Sequence, residues 1–434
     1  MTVMCIGYYD KFSRFFLDIK KHLQIQHNSF INFKVYSIHF SGFLYTLFRL
    51  NFSCWLPLKA WFLVQRKKRF YKTVINSSDV YKEISYKDYI KFHEVLNSNI
   101  PKQTLQLQAI AYIDIFKARF KKHQPDYLLT IGDSRLSIEI AIALAKKNNI
   151  KIYYIEQGPF NTTFFDNEGV NANLSIRKKY NSEVFDSLVN TETQPYTISK
   201  KYKRLPLYRG MDFLFAKLFE KTSIYPPDLK YTDIAHYNAS KAYNASNKNI
   251  KHFKKPFALL VLQVPKDVNM IYHSPNFKTH TQIVANVYSN LPEGIQLIVR
   301  EHPLYIGKYR TPLYDFIKEN NIPIDNNTSL NQVIETAKIV IVNNSTVGIE
   351  AILKYKTTVV LGNSFYDNNH ICLKLKSKEE LAAILKKAMN YEPDKAKINT
   401  FKKVLFNRTL FQGAITDKTL ISSKSIAHHI LANQ

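Results

Sequence analysis

With 434 residues, 45% of them hydrophobic, the chain has material for two buried cores rather than one. Its formal net charge of +27 favours an anionic partner: nucleic acid, an acidic membrane face or a phosphorylated substrate. Three widely spaced cysteines (Cys5, Cys54, Cys372) exclude a disulfide framework and a zinc pattern, and point to a reducing cytoplasm.

The first residues run straight into strand-like VMCIGYY, so no cleavable signal peptide is expected. No stretch reaches the roughly 18 uninterrupted apolar residues of a spanning helix. Thr2–Tyr8 is predicted as a strand, Phe12–Gln26 as an amphipathic helix with Phe12, Phe15, Phe16, Ile19 and Leu23 on one face, and Phe33–His39 as a second strand. Residues 40–75 combine aromatics, including Trp55 and Trp61, with the cluster Arg66, Lys67, Lys68 and Arg69. Aromatics beside cations suit the interface of an anionic membrane, whereas a core helix with a basic solvated end is the plainer alternative. Lys102–His123 reads as a helix. Asp126–Ile131 reads as a strand running into Gly132-Asp133-Ser134-Arg135, followed by a helix over 136–148 and a strand over 151–155. That βαβ unit ends in Glu156-Gln157-Gly158-Pro159, and residues 160–177 follow as a polar loop without clear periodicity. A helix is predicted over 211–220, and the chain then breaks at Tyr225-Pro226-Pro227 and turns polar. These features place an N-terminal domain at 1–225, a connection at 226–256 and a C-terminal domain at 257–434, whose last helix is expected to pack back on the first domain.

In the C-terminal region the predicted strands are Phe257–Val264, Gln296–Arg300, Ile339–Val342 and Thr357–Leu361. Just past their ends lie Gln263 and Asp267, Glu301 and His302, Asn343 to Thr346, and Asn363 to Asp367. In doubly wound sheets ligands bind at that edge. Ser345 and Thr346 stand at the start of a predicted helix, where free amides and the dipole suit a phosphate, although an ordinary N-cap would use the same residue types. In Glu301-His302-Pro303 the proline restricts His302 to extended geometry and holds its imidazole at the edge. Glu156, at a strand end beside Gly158, is the leading candidate for a general base or nucleophile, with Asp133 and Asp166 as rivals. No Asp-x-Asp occurs, so the usual metal clamp on a nucleotide diphosphate is missing. No Gly-x-Gly-x-x-Gly or P-loop occurs either. No metal ligand set, cofactor or nucleic-acid motif is expected.

Several of these motifs together resemble the bacterial capsule polysaccharide β-Kdo transferases. The resemblance rests on Glu156-Gln157-Gly158 with Gly169-Val170-Asn171, Leu262-Gln263-Val264 with Asp267, and His273-Ser274-Pro275. Arg300-Glu301-His302-Pro303-Leu304, Asn344-Ser345-Thr346-Val347-Gly348, Leu361-Gly362-Asn363 and Tyr366-Asp367 extend it, over about 132–367. The acidic-x-Gly, His-Pro and Ser-Thr pattern is also similar to that of GT-B sialyltransferases. The resemblance implies an α/β GT-B fold of two Rossmann-like domains facing an interdomain cleft. It implies a CMP-Kdo donor whose phosphate is held without metal by His302, Ser345 and Thr346, with Asn344, Gln263, His273, Glu301 and Asn363 also contacting substrate and Glu156 as the catalytic carboxylate. It further implies a phospholipid or glycolipid acceptor and residence on the inner face of the cytoplasmic membrane. The single copy of the motif set is similar to the initiating members rather than the two-module polymerising ones. A CMP-sialic acid donor, a UDP-sugar epimerase and a basic nucleic-acid-binding protein are the competing expectations.

Overall fold

Strands such as Tyr127–Ile131, Phe257–Val261 and Ile339–Val342 are buried along their whole length. Their β-branched and aliphatic side chains need apolar cover on both faces, which parallel sheets obtain from crossover helices. The computed structural model describes residues 1–27, 30–96, 100–179, 200–219 and 256–433. Residues 1–170, 200–219 and 406–433 form one α/β unit, and residues 171–179 and 256–405 form a second.

The first unit contains β1 (Thr2–Gly7), α1 (Asp10–His27), β2 (Asn32–Ser37), α2 (Phe40–Leu47), β3 (Ser53–Trp55) and α3 (Leu56–Ser77). A short hairpin, β4 (Val80–Tyr81) and β5 (Ile84–Ser85), leads to α4 (Lys91–Leu96) and α5 (Lys102–His123). Then come β6 (Tyr127–Ile131), α6 (Leu136–Lys147), β7 (Lys151–Gln157) and β8 (Thr162–Asp166). α7 (Ser175–Lys179) belongs to the second unit and α8 (Pro206–Leu218) to the first. The second sheet is built from β9 (Phe257–Val261), β10 (Gln296–Arg300), β11 (Ile339–Val342), β12 (Thr358–Val360) and β13 (Leu373–Lys374), and β14 (Leu410–Gln412) returns to the first.

Among the described residues the first sheet runs β14-β8-β7-β6-β1-β2-β3, and the second, parallel throughout, runs β10-β9-β11-β12-β13. In the first sheet the winding direction reverses between β1 and β6; in the second it reverses between β9 and β11. Each reversal opens a crevice beyond the carboxyl ends of two neighbouring strands. Two Rossmann-like α/β units are what the sequence predicts.

Four points differ from the sequence reading. The polar stretch 160–177 contains β8, paired antiparallel with β7 and with β14, because TTFF is a β-prone run bounded by turn residues. The second unit ends at Leu405, not at 434: β14 joins the first sheet, and the helix Ile421–Ala432 buries Ile426, Ala427 and Ile430 in a core shared with Phe12, Phe15 and Ile19 of α1. The helix Lys395–Arg408 was not predicted, although Ile398, Phe401, Val404 and Leu405 carry its spacing and are buried. The helix predicted over 211–220 starts earlier, at Pro206, where the ring suits the first turn. The connection at 226–256 lies, except for Pro256, outside the described residues.

Much of the aromatic stretch 40–75 is core. Trp55, Tyr45 and Tyr71 are buried, and the Trp55 Nε1–H donates to the Ile38 carbonyl at 3.1 Å. Lys67 is committed to Asp114 at 2.7 Å. Leu47, Phe48, Leu50, Phe62 and Phe70 remain exposed. Among the described residues no helix is long and apolar enough to cross a membrane.

α8 is tied to α2 by one buried carboxylate. Asp212 accepts from the Ser41 N–H at 2.9 Å, the Ser41 hydroxyl at 2.7 Å and Arg204 at 2.7 Å, while Arg204 also reaches Asp10. Asp212→Ala is expected to cost about 3–5 kcal/mol, the range for breaking a buried ion pair. A lowered denaturant midpoint checks this, and an unchanged midpoint refutes the clamp.

Candidate active site

The second unit's crevice lies past β9 and β11, and its wall is a network of amides. Asn343 and Asn344 follow β11 and are both buried. The Asn344 Nδ2–H donates to the carbonyls of Asn269 (2.9 Å) and His273 (3.0 Å), and the Asn344 N–H points at the Gln263 Oε1, 3.4 Å away. The His273 carbonyl also accepts from the Asn363 N–H at 2.7 Å. One carbonyl thereby joins the loops that follow β9, β11 and β12. Gly362 makes this possible: a Cβ there would lie 2.7 Å from both the His273 carbonyl and the Asn343 Oδ1. His273 itself is buried; desolvation pushes its imidazole down to about 4, helped by Arg177 and opposed by Asp367. Its Nε2 has no partner among the described residues. Asp267 caps the short helix Val268–Ile271 through the Met270 N–H at 2.8 Å, and burial pushes its carboxyl up to about 6.

Ser345 and Thr346 occupy the turn into the helix Val347–Leu353. The Ser345 hydroxyl accepts from the Val347 N–H at 3.3 Å, and its carbonyl accepts from the Tyr366 hydroxyl. Tyr366 fits only because residue 348 is glycine, since a Cβ there would lie 2.4 Å from the phenol oxygen. Thr346 makes no side-chain cap bond and is exposed.

His302 follows β10 at half-burial, in the extended geometry that Pro303 imposes. Its Nδ1 accepts from the Leu304 N–H at 3.2 Å, so a neutral ring carries its proton on Nε2 and presents a donor there. Burial lowers its pKa below 6.5, so the neutral form is the resting one at pH 7. Glu301, predicted as a substrate contact, is buried with both oxygens engaged. It accepts from the Tyr314 hydroxyl, the Asn326 Nδ2–H at 2.7 Å and the Gly307 N–H at 3.1 Å, and so braces the loop after His302.

In the first unit Glu156, the last residue but one of β7, is partly buried, with its Oε1 accepting from the Gln157 N–H at 2.9 Å. Its carboxyl lies over Gly132, whose φ of +72° is the left-handed geometry that glycine adopts freely. Desolvation raises its pKa above the ordinary value of 4.5, and the nearby Asp133 adds to that, while Lys11 and Arg135 oppose it. Asp133 accepts from the Val170 N–H at 3.3 Å. Asp166 is set apart: its Oδ1 accepts from the Glu168 and Gly169 N–H groups at 2.7 and 3.3 Å, closing its own loop. Gly158 admits the Thr162 hydroxyl inside the β7–β8 turn, where a Cβ would collide with it.

Some residues of these crevices carry no motif and were missed. Lys11 and Arg135 set the field around Glu156. Arg177 grips Asp367 with two bonds of 2.8 and 2.9 Å, and Lys374 reaches the same carboxylate at 3.3 Å. Asn363, a predicted contact, accepts from Lys374 at 3.3 Å. A basic residue after a strand or on a two-residue strand such as β13 has no signature that periodicity could expose.

Residues 126–415 match the family model described as capsule polysaccharide biosynthesis protein. The chain belongs to this family. Among curated relatives it is 29% identical to Protein FixF of Sinorhizobium fredii over 164 residues, 37% of this chain and 40% of that protein. It is 23% identical to the capsule polysaccharide export protein KpsS of Escherichia coli over 273 residues, 57% of this chain and 69% of that one. The chain thus spans less than half of FixF. Among solved structures it is similar to the Thermosulfurimonas dismutans KpsC beta Kdo 2,7 transferase, at 14% identity and a TM-score of 0.38, covering 73% of this chain and 88% of that one. The UDP-GlcNAc 2-epimerase of Neisseria meningitidis aligns at 12% identity and a TM-score of 0.36 over 100% of both chains. The matched span takes in every predicted site residue from Asp133 to Asn363.

The geometry at His302 makes a direct spectroscopic prediction. In a ¹⁵N-histidine titration its ring should be the Nε2–H tautomer at pH 7 and protonate below pH 6.5, with the Leu304 amide resonance shifting in step. A midpoint above 6.5 would show that the site favours the charged ring and contradict the lowering by burial.

Proposed function

We propose that this chain is a glycosyltransferase of capsule assembly that moves Kdo from CMP-Kdo to a phospholipid or glycolipid acceptor at the inner face of the cytoplasmic membrane. The observation that carries the reading is that one family match runs through both crevices and includes the candidate carboxylates of the first unit and the phosphate-type donors of the second. The second unit would hold the donor. His302 Nε2–H and the Ser345 and Thr346 hydroxyls would meet the single phosphate as neutral donors, and His273 and Gln263 would line the pocket around the rest of CMP-Kdo. Asn344, Asn363 and Glu301 would position these groups, because their own polar atoms are spent on backbone and neighbouring side chains.

The first unit would supply the base. Glu156, raised by burial yet kept ionisable by Lys11 and Arg135, is suited to take the proton of an acceptor hydroxyl as that oxygen bonds to the anomeric carbon and CMP departs with its electron pair. Asp133 beside it is the second candidate. Asp166 is less suited, since its carboxylate already serves two amides.

The deciding assay is turnover of CMP-Kdo with a lysophospholipid acceptor; turnover of CMP-sialic acid instead would overturn the donor assignment. In that assay His302→Ala should lose roughly ten- to a hundredfold in kcat/KM, the range for a hydrogen bond to a charged group, and His302→Gln should recover part of it. Wild-type kinetics in a folded His302→Ala protein would remove His302 from the site. The kcat/KM profile should rise with pH through the raised Glu156 pKa, because the base must be ionised, and so the acid limb should lie above 4.5. Glu156→Gln should abolish that limb along with most of the rate; a limb that survives unchanged belongs to another group. Activity should persist in EDTA. Complete loss with recovery on Mg²⁺ or Mn²⁺ would contradict metal-independent phosphate binding.

A further inference from the structure

α8 turns Tyr208 and Asp212 inward and leaves its leucines outside. Leu207, Leu214 and Leu218 are 64%, 54% and 63% exposed. Their spacing of i, i+7 and i+11 puts them on one stripe of the helix. Such a stripe on a water-facing surface marks an interaction face rather than scattered exposure. A second apolar group stands where α2 ends: Leu47, Phe48 and Leu50 are exposed, Leu50 at 97%. The two helices pack together, with Tyr45 and Tyr208 ring centroids 5.7 Å apart and those of Phe40 and Phe215 4.1 Å apart.

Tyr45 also lines a cleft of about 320 Å³ whose wall carries Arg14, Arg49 and Lys418 against one carboxylate, Asp18. That carboxylate is engaged by the Ser423 hydroxyl and lies 3.4 Å from His22 Nε2. The guanidinium of Arg49 lies over the Tyr45 ring at 3.6 Å, and that of Arg14 over Tyr202 at 4.3 Å. The Lys418 ammonium has no partner among the described residues.

We propose that this face of the first unit seats the protein on an anionic phospholipid surface, with lipid phosphate in the Arg14–Arg49–Lys418 cleft and Leu207, Leu214, Leu218 and Phe48 in the acyl boundary. Cations beside protruding apolar side chains are the pattern of an interfacial element. The charge selects the occupant. A second copy would bring a further +27 to the contact, whereas an anionic bilayer offers the opposite sign. The inference does not depend on the transfer chemistry, and it places the contact on α8 and the end of α2 rather than on the basic cluster of α3.

The test is flotation of the full chain with vesicles of phosphatidylcholine alone or containing about 30% phosphatidylglycerol, at low and physiological salt. The wild type should float only with the anionic vesicles. Leu207→Ser/Leu214→Ser/Leu218→Ser should weaken that binding at least about tenfold, since a reversible interfacial anchor scales with its buried apolar area. Its melting temperature should not fall, because the three side chains are exposed. Phe48→Ser/Leu50→Ser provides a second variant should the first misfold. Arg49→Gln/Lys418→Gln should flatten the salt dependence, and Arg66→Gln/Lys68→Gln/Arg69→Gln should stay within about twofold of wild type. Wild-type flotation of both apolar variants, equal binding to phosphatidylcholine, or loss of binding in the α3 variant would each overturn the proposal. A shift from dimer to monomer in the α8 variant with flotation unchanged would show a self-association face and overturn it as well.

Discussion

A parallel strand buried on both faces can offer a ligand only its ends. That constraint organises both units. β6, β9 and β11 are buried along their whole length and almost wholly apolar, so most polar groups gather at the residues just past their carboxyl ends. Gly132-Asp133 and Glu156 stand at such ends in one sheet, and Gln263, His302 and Asn343 to Thr346 in the other. Once those residues leave the strands, their unpaired amides and carbonyls must find partners, and Asn344, Asn363 and the His273 carbonyl are the partners they find. The same bonds that satisfy the backbone therefore fix the shape of the crevice.

This is why the sheet edges were legible in the sequence and the supporting contacts were not. Short aliphatic runs followed by Asn, Ser, His or Glu announce both the strand and its polar end, so the strands that carry or precede Glu156, His302 and Ser345 are placed within a residue or two. β8 and the helix at 395–408 were missed for opposite reasons: TTFF hides inside an Asn-rich stretch, and the helix carries so many lysines that its four buried apolar residues are diluted. Glu301 shows what residue type leaves out. A carboxylate beside a His-Pro at a sheet edge is expected to contact a ligand, and in the fold Tyr314 and Asn326, 13 and 25 residues further along the chain, donate to it. Only tertiary structure could reveal that.

Burial decides the protonation states on which any chemistry here must draw. His273 and His302 are both lowered by desolvation and so are neutral donors or acceptors, whereas Asp267 and Glu156 are raised and hold protons more tightly than exposed carboxyls. A neutral imidazole such as that of His302 can donate a hydrogen bond without first displacing a counter-ion. Around Glu156 the balance is finer, because Asp133 and desolvation favour the acid while Lys11 and Arg135 favour the base. Such opposition keeps a carboxyl near the point where it can both accept and release a proton.

The excess positive charge is not consumed by the interior. Carboxylates number 34 against 61 lysines and arginines, and several of the buried ones are shared. Asp367 holds Arg177 and Lys374, and Asp114 holds Lys67 and Lys82. Sharing one carboxylate between two cations leaves each such cluster with a positive remainder, which costs stability unless an anion offsets it. The cleft beside Tyr45 repeats the arithmetic with three cations and one occupied carboxylate. The surplus thus lies at defined, partly sheltered places, and in the cleft beside Tyr45 two of its carriers, Arg14 and Arg49, are already oriented on tyrosine rings. Pre-oriented cations lose little side-chain entropy when they bind, so a single anionic surface gains more from them than from the same number of mobile surface lysines.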